Sequence, residues 1–258
     1  MFDALYIGAT GMVAHQTQVD TIANNLANLN TVGFRRGVVS FADVSAQLAA
    51  TALDPNEPAS SVTTGAGSIA QVSLSLLPGT LQQTGQPLDI AIDGPGFIEV
   101  LRSDGTPAYA RAGSLQVNSD GLLAIADGSP LAAQIQIPPD AQSIAVGADG
   151  QVTALLGNAT SPTVLGRLGL VNFANPAALN IAGNNQYTAP AAAGVPQTGH
   201  AGSAGFGQLR QGFLESSDVQ LNQEMVSLLL AQRGFELNSK MVQTADQLWS
   251  ITNGLVRS

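Results

Sequence analysis

Two amphipathic stretches, residues 1–30 and 217–256, lie at opposite ends of this chain, and the sequence between them has β-type patterning without a helical period. Ends with matching apolar seams can pack on each other or on neighbouring copies, so this layout constrains the fold more than any single motif. The first seam runs Leu5, Ala9, Met12, Val19, Ala23 and Leu26, with polar Gln16 filling one slot. Its steps alternate four and three residues, the spacing that keeps one helical stripe facing a partner. Gly8 and Gly11 each cost about 1 kcal/mol relative to Ala inside a helix, and they read as places where a second backbone comes close. The C-terminal stretch opens at Ser217-Asp218-Val219-Gln220, a capping-box pattern. It continues through Leu221, Met225, Leu228, Ala231, Phe235, Val242, Ala245 and Trp249. About 40 residues rising 1.5 Å each make a rod of roughly 60 Å, long for a globular helix. These seams form the candidate interface of an assembly.

Between residues 69 and 210 short apolar alternations are punctuated by turns. Examples are the run from Ile69 to Leu76, Leu88 to Ile92, Phe97 to Leu101, and Leu115 to Val117. Asp-Gly pairs at 93–94, 104–105, 120–121, 127–128 and 149–150 supply hairpin signals. Asn28 to Phe34 is turn chemistry with a glycine stop. The stretch 35–68, with Pro55, Pro58, Gly65 and Gly67, reads as an extended arm or linker. The expected fold is therefore α+β. Residues 1–34 form an N-terminal helix, 35–68 an arm and 69–210 an all-β middle domain. Residues 211–258 form a C-terminal helix that packs with the first in a coiled-coil-type core.

Charge supports an assembling subunit. Charged residues make up 10% of the chain, against about 25% in typical soluble proteins. Between residues 37 and 209 eleven acids face Arg102, Arg111 and Arg167, whereas the two ends are nearly neutral and free to associate. With one lysine, Lys240, and no basic patch, nucleic acid is not an expected partner. Arg111 lies between two expected strands in an acidic domain, so its guanidinium is expected to stay inside the subunit on an acid or a carbonyl. No run of 18 apolar residues occurs, so no membrane insertion is expected. The N-terminus lacks a basic region ahead of an apolar stretch, so export would proceed without a cleaved signal peptide.

Catalytic chemistry finds little to use. The two histidines, His15 and His200, fall on the first helix and in a glycine-rich loop, and there is no cysteine. That excludes the usual zinc sets and thiol chemistry. Asp89 and Asp93 share a strand face and flank a turn. No glycine-rich segment leads into Lys-Ser/Thr. No catalytic, cofactor or metal site is expected.

At Ile22-Ala23-Asn24-Asn25-Leu26-Ala27-Asn28, followed by Thr31-Val32-Gly33-Phe34, the chain resembles the bacterial flagellar rod and hook protein family. Asp93-Gly94-Pro95-Gly96-Phe97 and Tyr109-Ala110-Arg111-Ala112-Gly113-Ser114 are similar to that family's middle-domain pattern. Ser217-Asp218-Val219, Ala231-Gln232-Arg233 and Asn238-Ser239-Lys240 are similar to its C-terminal signature. Length and the last two segments most resemble the distal-rod branch, with proximal-rod and hook branches as alternatives. Ala110, where the family often has Thr, and Gly234-Phe235, in place of a commoner Ala-Tyr, depart from the pattern.

The resemblance implies that terminal helices of many copies pack as an inner tube, with β domains outside. Contacts that do not close a ring then build a helical filament. It also implies a rod that crosses the periplasm and transmits torque. Its partners would be further copies, other rod and hook proteins, the surrounding rings and the flagellar export apparatus. Asn24, Asn25 and Asn28 are expected to satisfy backbone groups where the helix ends.

Overall fold

The computed structural model describes residues 2–43, 68–75, 77–111, 113–157 and 161–256. The chain divides into two compact units, one made of Met1–Ala27, Gly37–Ser73 and Val219–Ser258, the other of Asn28–Arg36 and Leu74–Asp218. The backbone therefore crosses from one unit to the other four times.

The first unit is built on helix α1, Phe2–Ala27, and helix α2, Leu221–Val256. They run antiparallel: Gly8 faces Val242, Gly11 faces Asn238, His15 faces Gly234 and Asn25 faces Glu224. Strand Gly37–Asp43 pairs with Ser68–Leu74 in the same unit, and Phe41 from it lies against the His15 ring at 5.5 Å. Part of the stretch read as an arm is thus a strand, because Val38, Val39 and Phe41 favour an extended, pleated backbone. Residues 44–67 of that arm lie outside the described residues. Helix α2 begins at Leu221 rather than at Ser217, since the Asp218 carboxylate is engaged elsewhere: its Oδ1 accepts from the Arg36 backbone N–H at 2.7 Å. Residues 211–220 hold a further strand, Phe213–Glu215, instead of the first turns of a helix.

The second unit is a series of small antiparallel sheets. The largest has four strands in the order Asn180–Gly183, Gln186–Thr188, Pro107–Ala110, Ile98–Leu101. Three Asp-Gly pairs occupy connections between antiparallel partners or neighbours in sequence: 104–105 between Ile98–Leu101 and Pro107–Ala110, 120–121 between Leu115–Val117 and Leu123–Ile125, and 149–150 between Ala141–Val146 and Gln151–Leu156. All five Asp-Gly glycines have positive φ, the conformation that such turns require. Two pairings close the unit: Leu81–Gln83 on Phe213–Glu215, and Ile90–Asp93 on Gln208–Gln211. They bring both ends of the β segment together.

Its interior has two parts. An aliphatic core holds Ile90, Ile92, Ile98, Leu123, Leu131, Leu168 and Leu170. An aromatic core joins Phe97, Tyr109, Phe173 and Tyr187 with Leu74. Phe173 meets Tyr109 edge-on at 4.8 Å and Phe97 at 6.1 Å, the arrangement that the ring quadrupoles prefer.

Burial, foremost, pushes the Tyr187 hydroxyl up to about 12 from its usual 10.0. An acid whose folded pKa is raised keeps its proton while the unfolded chain loses it. The resulting stability is complete below about pH 10 and is lost as pH rises from there toward 12, by up to about 3 kcal/mol at about 1.4 kcal/mol per unit. Denaturant titrations of wild type and Tyr187→Phe should therefore run parallel below about pH 10, and the wild type should lose stability relative to the variant as pH rises from there toward 12. A wild-type curve parallel to the variant's across that window would contradict this assignment.

Candidate assembly interface

The inner face of the helical unit is made mostly of small and polar residues, with Ile22, Leu228 and Val242 among them. On α1 it comprises Gly8, Gly11, Ala14, His15, Gln18, Ile22 and Asn25; on α2 it comprises Glu224, Leu228, Ala231, Gly234, Asn238, Val242 and Ala245. A Cβ on Gly8 would come within 2.7 Å of Val242 Cγ2, and one on Gly11 within 2.7 Å of Asn238 Nδ2. A Cβ on Gly234 would strike the His15 ring. These glycines set the helix spacing, which accounts for residues that otherwise weaken a helix.

Asn25 and Glu224 lie in this face, 2% and 4% exposed. Asn25 Nδ2 donates to Glu224 Oε2 at 3.2 Å and to the Gly37 carbonyl at 2.9 Å, and Asn25 Oδ1 accepts from the Gly37 N–H at 2.9 Å. One side chain thus satisfies both backbone groups of the residue that opens the first strand, within the seam. Asn28 Oδ1 accepts from the Thr31 hydroxyl at 3.1 Å, while Asn24 lies exposed.

The large apolar side chains point outward instead. Among the described residues, all but five of the exposed large hydrophobics belong to the helical unit. On α2 they form a stripe of Val226, Leu230, Leu237, Met241 and Leu248, flanked by Met225, Leu229 and Ile251. Val226, Leu237 and Leu248 are spaced by eleven residues, as are Leu230 and Met241. An eleven-residue period, 3.67 residues per turn, keeps a stripe nearly straight on an α-helix. The inner face repeats every seven residues through Glu224, Ala231, Asn238 and Ala245, so α2 carries two seams of different period. An apolar area of this extent on the outside of a folded unit marks an interaction surface.

The residues expected at the interface divide between these faces. Leu228, Val242, Ala245 and Trp249 are half-buried on α2, and Leu5, Met12, Val19 and Leu26 are half-buried on α1. Ala9, Ala23, Met225 and Phe235 are exposed. The α1 stripe picked out by its hydrophobicity lies beside the face that meets α2. Gly8 and Gly11 point to that inner face in the sequence, whereas Ala14, Gln18 and Asn25 give no apolar signal.

In the β unit the signature residues surround a buried ion cluster. Arg111 Nε donates to Glu215 Oε2 at 2.7 Å, and Arg35 Nη2 lies 2.9 Å from Glu215 Oε1. Arg111 also donates to the carbonyls of Gly96 and Gly94, at 2.7 and 2.6 Å. Its guanidinium is thus held inside the unit by an acid and by carbonyls. Burial, and then repulsion from Arg111, lower the Arg35 pKa, with Glu215 opposing both. Gly33, at φ 67°, donates its N–H to the Glu215 carbonyl at 2.7 Å. Gly113 has no room for a side chain, since a Cβ would overlap the Ile90 carbonyl. Gly96 has φ 130°, and Phe34, Phe97 and Val219 are buried. Ser217 is half-buried, Asn238 meets Gly11 in the inner seam, and Gln232, Arg233 and Lys240 lie exposed on α2. Sequence reasoning missed Arg35 and Glu215, whose only trace was the scarcity of bases around them.

Among the described residues no cluster of His, Asp or Glu is arranged to hold a metal ion, and no helix is long and apolar enough to cross a membrane. His15 Nδ1 lies 3.2 Å from Gln18 Oε1. Asp89 accepts from the Thr84 hydroxyl at 2.7 Å, and Asp93 pairs with Arg210 at 2.7 Å. Each has a structural partner of its own.

Three family models match in chain order. They are described as flagella basal body rod protein over residues 5–35, flagellar hook protein FlgE/F/G D1 domain over 91–154, and flagellar basal body rod FlgEFG protein C-terminal over 210–255. The flagellar basal-body rod protein FlgG of Agrobacterium fabrum is 40% identical over 97% of this chain and 98% of its own length. That of Bacillus subtilis is 37% identical over 96% and 97%. The flagellar hook-basal body complex protein FlhP of Bacillus subtilis is similar at 28% over 99% and 100%.

Proposed function

This chain belongs to the flagellar basal-body rod protein family, and from that premise we propose that it is a structural subunit of the distal rod. Copies assemble by their terminal helices into a helical tube that works as a drive shaft between motor and hook. The apolar stripe along α2 carries this reading, because an outward row of Val, Leu and Met is satisfied only when another apolar surface covers it. Half-buried Leu5, Met12, Val19 and Leu26 supply a matching row on α1. Full-length similarity to rod proteins supports the rod over the hook, and the lower identity to the hook-basal body relative supports the distal branch. Within this reading the subunit passes the flagellar export apparatus without a cleaved signal peptide. It reaches the periplasm, meets neighbouring axial proteins and is enclosed by the rings.

Electron microscopy of the purified protein at rising concentration tests the proposal. Tubular filaments with helical order are expected. Discrete particles at every concentration would favour a binding module with oligomerising ends.

A further inference from the structure

An Asp-Gly pair can rearrange without an enzyme. The glycine nitrogen attacks the aspartic acid Cγ, a C–N bond forms, and the carboxyl OH leaves with the amide hydrogen as water. Glycine permits this because no side chain shields its nitrogen. Water then opens the five-membered imide. Addition at Cγ restores aspartate. Addition at the α-carbonyl breaks the original peptide bond and leaves isoaspartate, whose main chain runs through Cβ with one extra carbon.

All five Asp-Gly pairs of this chain offer the glycine, so the carboxyl decides between them. Attack needs the neutral acid, free to swing toward the next nitrogen. A carboxylate that accepts hydrogen bonds is held in its charged form and in one place, and both oppose the reaction. Asp93 is held by Arg210 at 2.7 Å. Asp104, Asp127 and Asp149 each accept from the N–H two residues ahead, on Thr106, Ser129 and Gln151, at 2.9, 2.9 and 3.2 Å. Each has a second bond as well, from the Thr106 hydroxyl, Gln186 and Arg167 respectively. The Thr106 hydroxyl, and then its N–H, hold the Asp104 carboxyl below the usual carboxylate range.

Asp120 differs. The N–H two residues ahead, on Leu122, donates to Asn118 Oδ1 at 2.8 Å, and the Asp120 N–H donates to the same oxygen at 3.0 Å. Asn118 thus fills the place that the aspartate takes in the other three turns. The Asp120 side chain is exposed, and its carboxylate has no partner among the described residues. The Gly121 N–H is bonded to the Asn118 carbonyl at 3.0 Å, but Gly105, Gly128 and Gly150 make the equivalent bond. The amide therefore does not separate these turns.

We propose that Asp120 is a site of self-modification, the Asp-Gly pair at which isoaspartate forms first in the folded protein. The extra main-chain carbon enters the turn that sets Val117 opposite Leu123 and Leu115 opposite Ile125. It also adjoins the Gly121 carbonyl, which accepts from the Ile137 N–H at 2.8 Å. Leu115, Leu123, Ile125 and Ile137 are all buried in the aliphatic core, so the modified turn loosens that corner of the β unit. The site is intrinsic to this unit and does not depend on the assembly reading.

The test incubates the full-length protein at physiological temperature and pH. Mass-spectrometric peptide mapping, with fragmentation that tells isoaspartate from aspartate, follows all five pairs. Isoaspartate should accumulate at Asp120 at least about fivefold faster than at Asp93, Asp104, Asp127 or Asp149, as release from a charge-assisted hydrogen bond requires. In urea the five rates should draw together, because only the folded turns distinguish them. Absence of isoaspartate at Asp120, a faster site among the other four, or a preference for Asp120 that persists in urea overturns the proposal.

Discussion

Leu237→Asp is expected to abolish rod formation while leaving the isolated chain as stable as wild type. Leu237 is 66% exposed on α2, so a carboxylate there remains solvated in the monomer and should change stability by no more than about 0.5 kcal/mol. In the proposed tube the same position would be covered by apolar groups, and each copy would bury an unpaired charge at a cost of several kcal/mol. That penalty recurs at every subunit, so elongation fails rather than slows. Circular dichroism and denaturant melts of the monomer should overlay wild type, micrographs should lack filaments, and cells relying on the variant should not swim. Leu237→Met should restore all three. Swimming cells with Leu237→Asp would place this stripe outside the assembly contact.

Glu215→Ala should produce the largest loss of stability in the β unit. The carboxylate is 2% exposed and answers both Arg35 and Arg111, and its Oε1 also accepts from the Gly79 N–H at 2.8 Å. Removing it leaves two guanidiniums in the interior without their counter-charge. Breaking a buried ion pair from one side costs about 3–5 kcal/mol, which for a unit of this size lowers Tm by about 10 °C. Urea unfolding read from the tyrosines measures it. Glu215→Gln, which keeps the shape and part of the hydrogen bonding, should fall between Ala and wild type. A change below about 1 kcal/mol for Glu215→Ala would show that the arginines find other anions.

Much of this architecture could be read from the chain before its structure, for reasons that differ by element. The helices at the two ends show themselves by three-four spacing, and the hairpins by Asp-Gly, because both signals are local. Arg111 could be placed inside the subunit because few bases occur in the acidic middle. The orientation of α1 was harder to read. Apolar periodicity selects Leu5, Met12, Val19 and Leu26, whereas the face that meets α2 is made of Gly8, Gly11, Ala14 and Asn25, where closeness of approach rather than hydrophobicity decides. The helix start at Leu221 instead of Ser217 goes with a partner far away in sequence, since the Asp218 carboxylate, expected in the first helical turn, accepts from the Arg36 N–H instead. Glu215 was silent for the same reason: its partners lie 180 and 104 positions earlier, and nothing in its neighbours announces them.

The four crossings of the backbone between the two units have a mechanical meaning. Three of them are laced together on the β side: Arg36 N–H to Asp218 at 2.7 Å, Ser75 N–H to the Arg36 carbonyl at 2.9 Å, and Gly33 N–H to the Glu215 carbonyl at 2.7 Å. A single strand between two bodies acts as a swivel, free to turn about its own bonds. Strands bound side by side act as a strap, in which twisting one means shearing its bonds to the others. All three bonds lie within the β unit, so the segments that leave it do so as one hydrogen-bonded group, and a pull on any one of them is shared by the others.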